Sequence, residues 1–253
     1  LDNASTDGSA TAIRERFPQA VLIQLEQNLG YAGNNNVGIE AALRRGADWV
    51  FVLNEDTILA PDCIERLVSA GEESERIGLA GPMVYHYDEP EMIQSAGGKL
   101  DAKWTALHIG QNELDAGQYR TVRDVDWVSG CALLVRRKTI EEIGALDERF
   151  FYYWEETDWC TRAREHDWRI IHVPQAKLWH KGVQRNYQPS PNVTYYATRN
   201  RLLFLRKHRA PLKIWALVWL QNLRTLLSWS VRQKWRASMS EHRRALQQGM
   251  LDF

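Results

Sequence analysis

Short apolar runs alternate with amphipathic stretches along the first third of the chain. "AVLIQL" (20–25), "WVFVL" (49–53) and "IGLAGPMVYHY" (77–87) are rich in Val, Ile and aromatics and nearly free of charge. Runs of that length and composition predict strands buried on both faces. Helical stretches lie between them: 9–16, stopped near Pro18; 39–46, ending on Gly46; and 61–73, with Pro61 in its first turn. "NLGYAGNNNVG" (28–38) is dense in Gly and Asn and predicts a loop. The resulting β-α-β-α-β order predicts an α/β fold with right-handed crossovers. Its central sheet is expected to be mostly parallel and flanked by helices.

The pattern then changes. Residues 91–121 predict hairpins and loops, and 125–137 a strand broken at Ser129–Gly130. Residues 138–151 predict a short helix, a glycine stop and a turn, and 152–168 an extended start that becomes helical. A strand at 169–174 is expected to end at Pro174, with a short strand or turn at 176–182. From Thr194 the pattern is helical. This divides the chain into a domain over 1–200 and a helical tail over 201–253.

"WVFVL" runs directly into Asn54, Glu55 and Asp56. Ligands bind beyond the carboxyl ends of strands in such sheets, so this acidic end is a candidate site. The plain alternative is a polar turn with Asp56 or Thr57 capping the next element. Asp2 with Asp7, Glu155-Glu156 with Asp158, and His180 also fall at strand ends or turns. Carboxylates with one histidine suit a hard divalent cation or a general base. An acidic helix start, favourable with the helix dipole, accounts equally well for 155–158 taken alone.

Composition narrows the classes. The net charge is zero, yet residues 199–253 carry 12 Lys and Arg against only Glu241 and Asp252. An acidic body with a basic tail suggests that the tail meets an anionic surface. Cys63, Cys131 and Cys160 form no C-x-x-C, which argues against a disulfide framework or zinc site and for a reducing compartment. No apolar run reaches the length of a transmembrane helix, and no signal peptide is visible. P-loop, dinucleotide and nucleophile-elbow signatures are all absent.

In the tail, residues 211–236 set Ile214, Leu217, Val218, Leu220, Leu223, Leu226 and Leu227 beside Trp215, Trp219, Trp229 and Trp235, rimmed by Lys and Arg. That composition suits a helix lying in a membrane interface. Packing on the body or on a second subunit is the alternative.

In order, "DNASTDGS", "NLGYAGNNNVG", "WVFVLNEDTILAPD", "VDWVSGCALLVRR" and "LDERFFYYWEETDWCTRAREHDWRIIHVPQAKLWHKG" resemble family 2 glycosyltransferases of the GT-A fold, in the rhamnosyltransferase-like branch. The likeness covers about residues 1–206. The family's first strand, which precedes "DNASTDGS", is expected to be missing. The end "RRALQQGMLDF" resembles the family's G-x-x-D segment.

The resemblance implies roles position by position. Asp2 would contact the nucleotide base. Asn28, Gly30 and Asn36 belong to the segment lining the nucleotide pocket. Asn54 and Asp56 match the D-x-D motif that holds the metal and the sugar-nucleotide diphosphate, with Asn in place of the first Asp. Trp127 and Gly130 fall at the acceptor pocket. Glu156 matches the catalytic base, with Glu155 and Asp158 as alternatives, and His180 matches an additional metal ligand. The implied activity is inverting, metal-assisted sugar transfer. It would use Mg²⁺ or Mn²⁺, a nucleotide-diphosphate sugar donor and a glycan or lipid-linked acceptor. The expected location is cytoplasmic, peripheral on the inner face of the plasma membrane, with no nucleic-acid partner. Competing readings are a nucleotidyltransferase on a related sheet, a non-enzymatic polyanion- or membrane-binding protein, and an inactive scaffold.

Overall fold

A computed structural model of the chain describes residues 1–182, 188–231 and 238–253. Its strands are β1 (Trp49–Leu53), β2 (Thr57–Leu59), β3 (Ile77–His86), β4 (Ile93–Ser95), β5 (Gly98–Leu100), β6 (Ala106–His108), β7 (Arg123–Asp124), β8 (Ala132–Arg136) and β9 (Arg169–His180). Its helices are α1 (Ser9–Arg16), α2 (Gly30–Arg44), α3 (Cys63–Glu72), α4 (Arg137–Ile143), α5 (Glu155–Glu165), α6 (Pro191–Lys207), α7 (Leu212–Val231) and α8 (Ser240–Leu251). A seven-stranded sheet runs β1-β8-β3-β9-β2, with β4 beside β3 and β7 beside β9, while β5 and β6 form a separate hairpin.

The sheet is mixed rather than mostly parallel. β1 and β3 are parallel to one another, as the crossover rule predicts, but β8 lies between them and is antiparallel to both. β8 reaches its slot from the hairpin region, and an antiparallel neighbour needs no helical crossover. The adjacent parallel pair is β3 with β9.

Three local expectations are also corrected. The 20–25 run contributes only an isolated bridge between Asp2 and Gln24, and its Val21 is exposed rather than buried. The Gly/Asn-rich "loop" is the first half of α2. Its asparagines bond tertiary partners: Asn36 donates to the Leu146 carbonyl at 2.9 Å and accepts from the Leu146 N–H at 3.0 Å. Such bonds override a weak intrinsic propensity. Finally, Pro174 does not end a strand. β9 passes through it, and pairing with β3 steps from Pro82–Val173 to Met83–Lys177. The proline sits in that irregularity, where no ladder hydrogen bond is required of it.

The tail helices close over the turn before α5. Phe150, Leu202, Leu203, Phe204, Leu205, Ile214, Val218, Leu246 and Met250 form one buried cluster. Each large side chain so buried contributes roughly 1.5–3 kcal/mol, and α6 runs unbroken across residue 200. α7 buries Ile214 and Val218 but exposes Leu212, Leu217, Leu220, Leu223, Leu227 and Val231. Trp235 lies outside the described residues. Among the described residues no helix is long and apolar enough to cross a membrane.

Candidate functional site

The acidic end of β1 meets the end of β9. β2 follows the turn at 54–56 and pairs with β9 so that Thr57 stands opposite His180. The turn is tied down by Asn54 N–H to the Cys131 carbonyl at 2.9 Å and by the Thr57 hydroxyl to the Asn54 carbonyl at 2.7 Å. Lys181 N–H donates to the Asp56 carbonyl at 2.9 Å. As a result Asp56 Oδ1 stands 3.1 Å from His180 Nε2.

That pair is electron-rich on both sides. His180 Nδ1 lies 2.9 Å from Gln94 Oε1. An amide oxygen can only accept, so Nδ1 carries the hydrogen and Nε2 presents its lone pair. Burial lowers the His180 pKa despite the opposing charge of Asp56, which keeps the ring neutral. Asp56 Oδ1 is itself buried without a hydrogen-bond partner. A divalent cation would satisfy both atoms. Two ligands at right angles on Mg²⁺, with bonds of about 2.1 Å, stand roughly 3.0 Å apart. Gly182 leaves the space open: a Cβ there would collide with Asp56 Oδ2 and come within 3.0 Å of His180 Nε2. Among the described residues no cluster of three acidic, histidine or cysteine side chains completes a cage. A two-ligand corner suits an ion that takes its remaining ligands from water and substrate phosphates.

A cleft of about 810 Å³ contains Asp2, Asn28, Gly30, Tyr31, Asn34 and Glu55 in its walls. Its volume suits a nucleotide-sized ligand. Asp2 is fixed by backbone bonds to Ile23 and Leu25 at 2.8 and 2.9 Å. Its Oδ2 is buried with no partner, as is Asn34 Oδ1. Both are acceptors left for a donor on a ligand. Asn28 Oδ1 accepts from Gly30 N–H at 2.8 Å and Asn3 Nδ2 at 3.0 Å, shaping the rim. Gly30 adopts φ +70°, and a Cβ there would lie 2.5 Å from Phe151, so only glycine fits.

The third component is the Glu155–Glu156 pair at the start of α5. Trp154 precedes the helix at φ 76°, and Phe151 and Tyr153 also have positive φ, 59° and 72°. Such strain in non-glycine residues persists only where surroundings impose it. Here Asn200 of α6 imposes it. Fully buried, its Nδ2 donates to the carbonyls of Phe150, Tyr152 and Tyr153 at 2.6, 2.8 and 2.8 Å. On its other side, the Phe151 carbonyl accepts from Tyr31 N–H at 2.6 Å.

Glu156, half-buried, lies beside Gly130, where a Cβ would be 3.7 Å from its Cβ and Cγ. The Tyr31 hydroxyl donates to the Gly130 carbonyl. Burial pushes the pKa of Glu156 up; burial and the charge of Glu156 do the same for Glu155, whose Oε2 has no partner. Burial also pushes the Cys131 thiol up to about 12, with the Asp56 and Glu156 carboxylates adding to it. Tyr31 is likewise raised by burial, with Glu155, Glu156 and Glu55 adding to it.

Three expected residues are placed elsewhere. Asp158 is fully buried in an ionic cluster with Arg162 (2.9 Å), Lys207 (2.8 Å) and His208 (2.9 Å). Burial opposes its ionisation, but these partners outweigh it and hold the carboxyl below its usual range. It anchors α5 to α6. Asn36 braces Leu146 and Glu148 and does not line the cleft. Trp127 is buried in the core beneath the β5–β6 hairpin, stacked edge-on to His108, with little surface for an acceptor. Sequence reasoning missed Tyr31, Asn34, Gln94 and Asn200 as individual residues. Tyr31 and Asn34 lie in the Gly/Asn stretch already singled out; Gln94 and Asn200 carry no local signal.

Residues 1–144 match glycosyl transferase family 2. The chain is 30% identical over 244 residues to an N-acetylglucosaminyl-diphospho-decaprenol L-rhamnosyltransferase of Mycobacterium tuberculosis, covering 85% of this chain and 78% of the relative. A GalNAc-T7 structure with UDP, GalNAc and Mn²⁺ superposes with TM-score 0.60 at 12% identity, over 81% of this chain and 40% of the other. The Pyrobaculum calidifontis mannosyltransferase PcManGT, bound to GDP-Man and Mn²⁺, gives 0.55 at 14% identity, over 99% and 75%. Those two likenesses speak to the fold, a GT-A architecture. Family match, relative and architecture agree: the chain belongs to glycosyl transferase family 2 and is a glycosyltransferase.

Proposed function

We propose that this enzyme transfers a sugar, with inversion, from a nucleotide-diphosphate donor to a hydroxyl of a glycan or lipid-linked acceptor. The observation that carries the reading is that the Asp56–His180 pair stands on the turn that Asn54 ties to the Cys131 carbonyl, while Glu156 lies against Gly130, the neighbouring residue, beside the cleft. The name of the rhamnosyltransferase relative supports a rhamnosyl donor and a lipid-diphosphate acceptor.

Asp2 and Asn34 offer buried acceptors to the nucleotide, and Asn28 and Gly30 shape the rim of its cleft. Asp56 and His180 Nε2 would hold Mg²⁺ or Mn²⁺, with Asn54 on the same turn. When bound, the ion supplies Lewis-acid stabilisation of the charge that develops on the leaving diphosphate. Glu156 takes the proton from the acceptor hydroxyl as its oxygen bonds to the anomeric carbon and the bond to the diphosphate breaks. General-base help of this kind is worth roughly 10²–10⁴ in rate. Burial keeps Glu156 basic enough for the task. Direct attack with one base and no protein nucleophile inverts the anomeric centre.

Two variants test this. Glu156→Gln is expected to lose turnover by that factor while nucleotide affinity holds; near-wild-type turnover removes the residue from the role. Asp56→Ala is expected to abolish metal dependence, and an unchanged metal response sinks the assignment. The exposed leucines of α7, with Lys213 and Arg224 on the same helix, support peripheral membrane contact on the cytoplasmic face. Vesicle flotation of the full chain with and without anionic lipid tests it, and absence of flotation in both refutes it.

A further inference from the structure

A second concave site lies outside the cleft. It is a groove of about 520 Å³ between the turn after β5 and the α6–α7 pair. Lys103, Arg201 and Arg224 line it, and among the described residues no carboxylate does. Arg201 is braced by its terminal nitrogens, which donate to Gln221 Oε1 at 3.1 Å, Thr105 Oγ1 at 3.1 Å and the Lys103 carbonyl at 3.3 Å. Its Nε–H is buried and has no acceptor. The nearby acid, Asp101, accepts the backbone N–H groups of Lys103 and Thr105, both at 2.8 Å, and so shapes the turn. A braced guanidinium with an unused buried donor is costly unless an anion meets it.

The other wall is apolar. Leu217 and Leu220 line the groove and continue into the exposed leucines 223 and 227 of α7. Cations at one end and an open hydrocarbon track at the other match an amphiphile with a charged phosphate head. The charge count favours one kind. A phospholipid phosphodiester brings a single negative charge to three cations, whereas a diphosphate brings more and offers more acceptor oxygens. Arg201 also follows Asn200, whose amide holds the turn that carries Glu155 and Glu156.

The geometry points to a prenyl diphosphate site: Lys103, Arg201 and Arg224 hold the diphosphate of a lipid-linked acceptor, and the α7 leucines carry its first isoprene units. This rests on the sugar-transfer reading and names the acceptor's anchor.

The test is calorimetric titration of the full chain with farnesyl diphosphate, in the presence of saturating thymidine or uridine diphosphate. Wild type is compared with the double variant Lys103→Gln/Arg224→Gln, which alters two exposed side chains, and with Arg201→Lys, which keeps the charge and removes the Nε–H. Farnesyl diphosphate is expected to bind beside the nucleotide, tighter than inorganic pyrophosphate or farnesol alone. Both variants are expected to weaken it roughly tenfold or more with nucleotide affinity unchanged. The same variants are also titrated with phosphatidylglycerol vesicles; displacement by nucleotide, equal binding of farnesyl diphosphate by the variants, or a loss seen only with the vesicles overturns the site. If the nucleotide itself fails to bind, the sugar-transfer reading falls, which is a separate outcome.

Discussion

Replacing Asn200 with alanine tests whether α6 holds the turn before α5. The two amide hydrogens of Asn200 serve three carbonyls in a region with no water access to the side chain. Alanine removes both donors; the Phe150 carbonyl keeps the Tyr152 N–H, while the carbonyls of Tyr152 and Tyr153 lose their amide partner at roughly 1–3 kcal/mol each. The strain at Phe151, Tyr153 and Trp154 then loses its restraint. Together the two lost bonds cost about 2–6 kcal/mol, a large part of a typical folding stability. At about 2–4 °C per kcal/mol for a chain of this size, Tm falls by roughly 4–24 °C. Differential scanning calorimetry measures it. Transfer is then assayed below both transitions, where kcat is expected to fall further than the folded fraction because Trp154 sets the entry of Glu155 and Glu156 into α5. Asn200→Asp, which offers only acceptors to three carbonyls, is expected to be worse at neutral pH and to recover partly in acid. A Tm for the alanine variant within about 2 °C of wild type refutes the clamp.

Because burial raises the Glu156 pKa, transfer is expected to fall as pH drops through a range above the ordinary carboxylate value of about 4.3; a kcat/KM profile flat to that value contradicts this. Glu155 binds its proton more tightly folded than unfolded, so its contribution to stability is full below the unfolded pKa and lost as pH rises. Glu155→Gln is therefore expected to be more stable than wild type in alkaline urea melts, with the gap closing in acid. Asp158 has the opposite sign: its stabilisation holds above the unfolded pKa and is lost as pH falls through the depressed folded value. Asp158→Asn is expected to cost about 3–5 kcal/mol at neutral pH by leaving Lys207 and Arg162 underpaired, read from the same melts. Gly182→Val places a branched side chain against Asp56 and His180. Mn²⁺ affinity, followed by the spin-resonance signal of free Mn²⁺, is expected to drop, and an unchanged Kd contradicts the proposed metal corner.

α1 and β1 fall on the residues that local pattern assigns them, 9–16 and 49–53, and β3 differs by one residue at its end. These are the elements whose composition and punctuation agree. The acid-tipped strand, the Glu155–Glu156 pair and His180 could be singled out as candidates from the sequence, although capping and the helix dipole explain such carboxylates equally well when each is taken alone. Pairing was not legible. β8 enters between β1 and β3, and the asparagines of α2 turn helical, through partners far away in sequence. The sequence by itself determined where chain is extended or helical and which side chains carry chemistry, since both follow from neighbours a few residues apart. Tertiary structure alone decided that Asp56 faces His180, that Glu156 lies against Gly130 while Asp158 is locked against α6, and that Asn200 restrains the turn before α5. Those relations depend on strand register and helix docking, which sum many weak contacts over the whole chain.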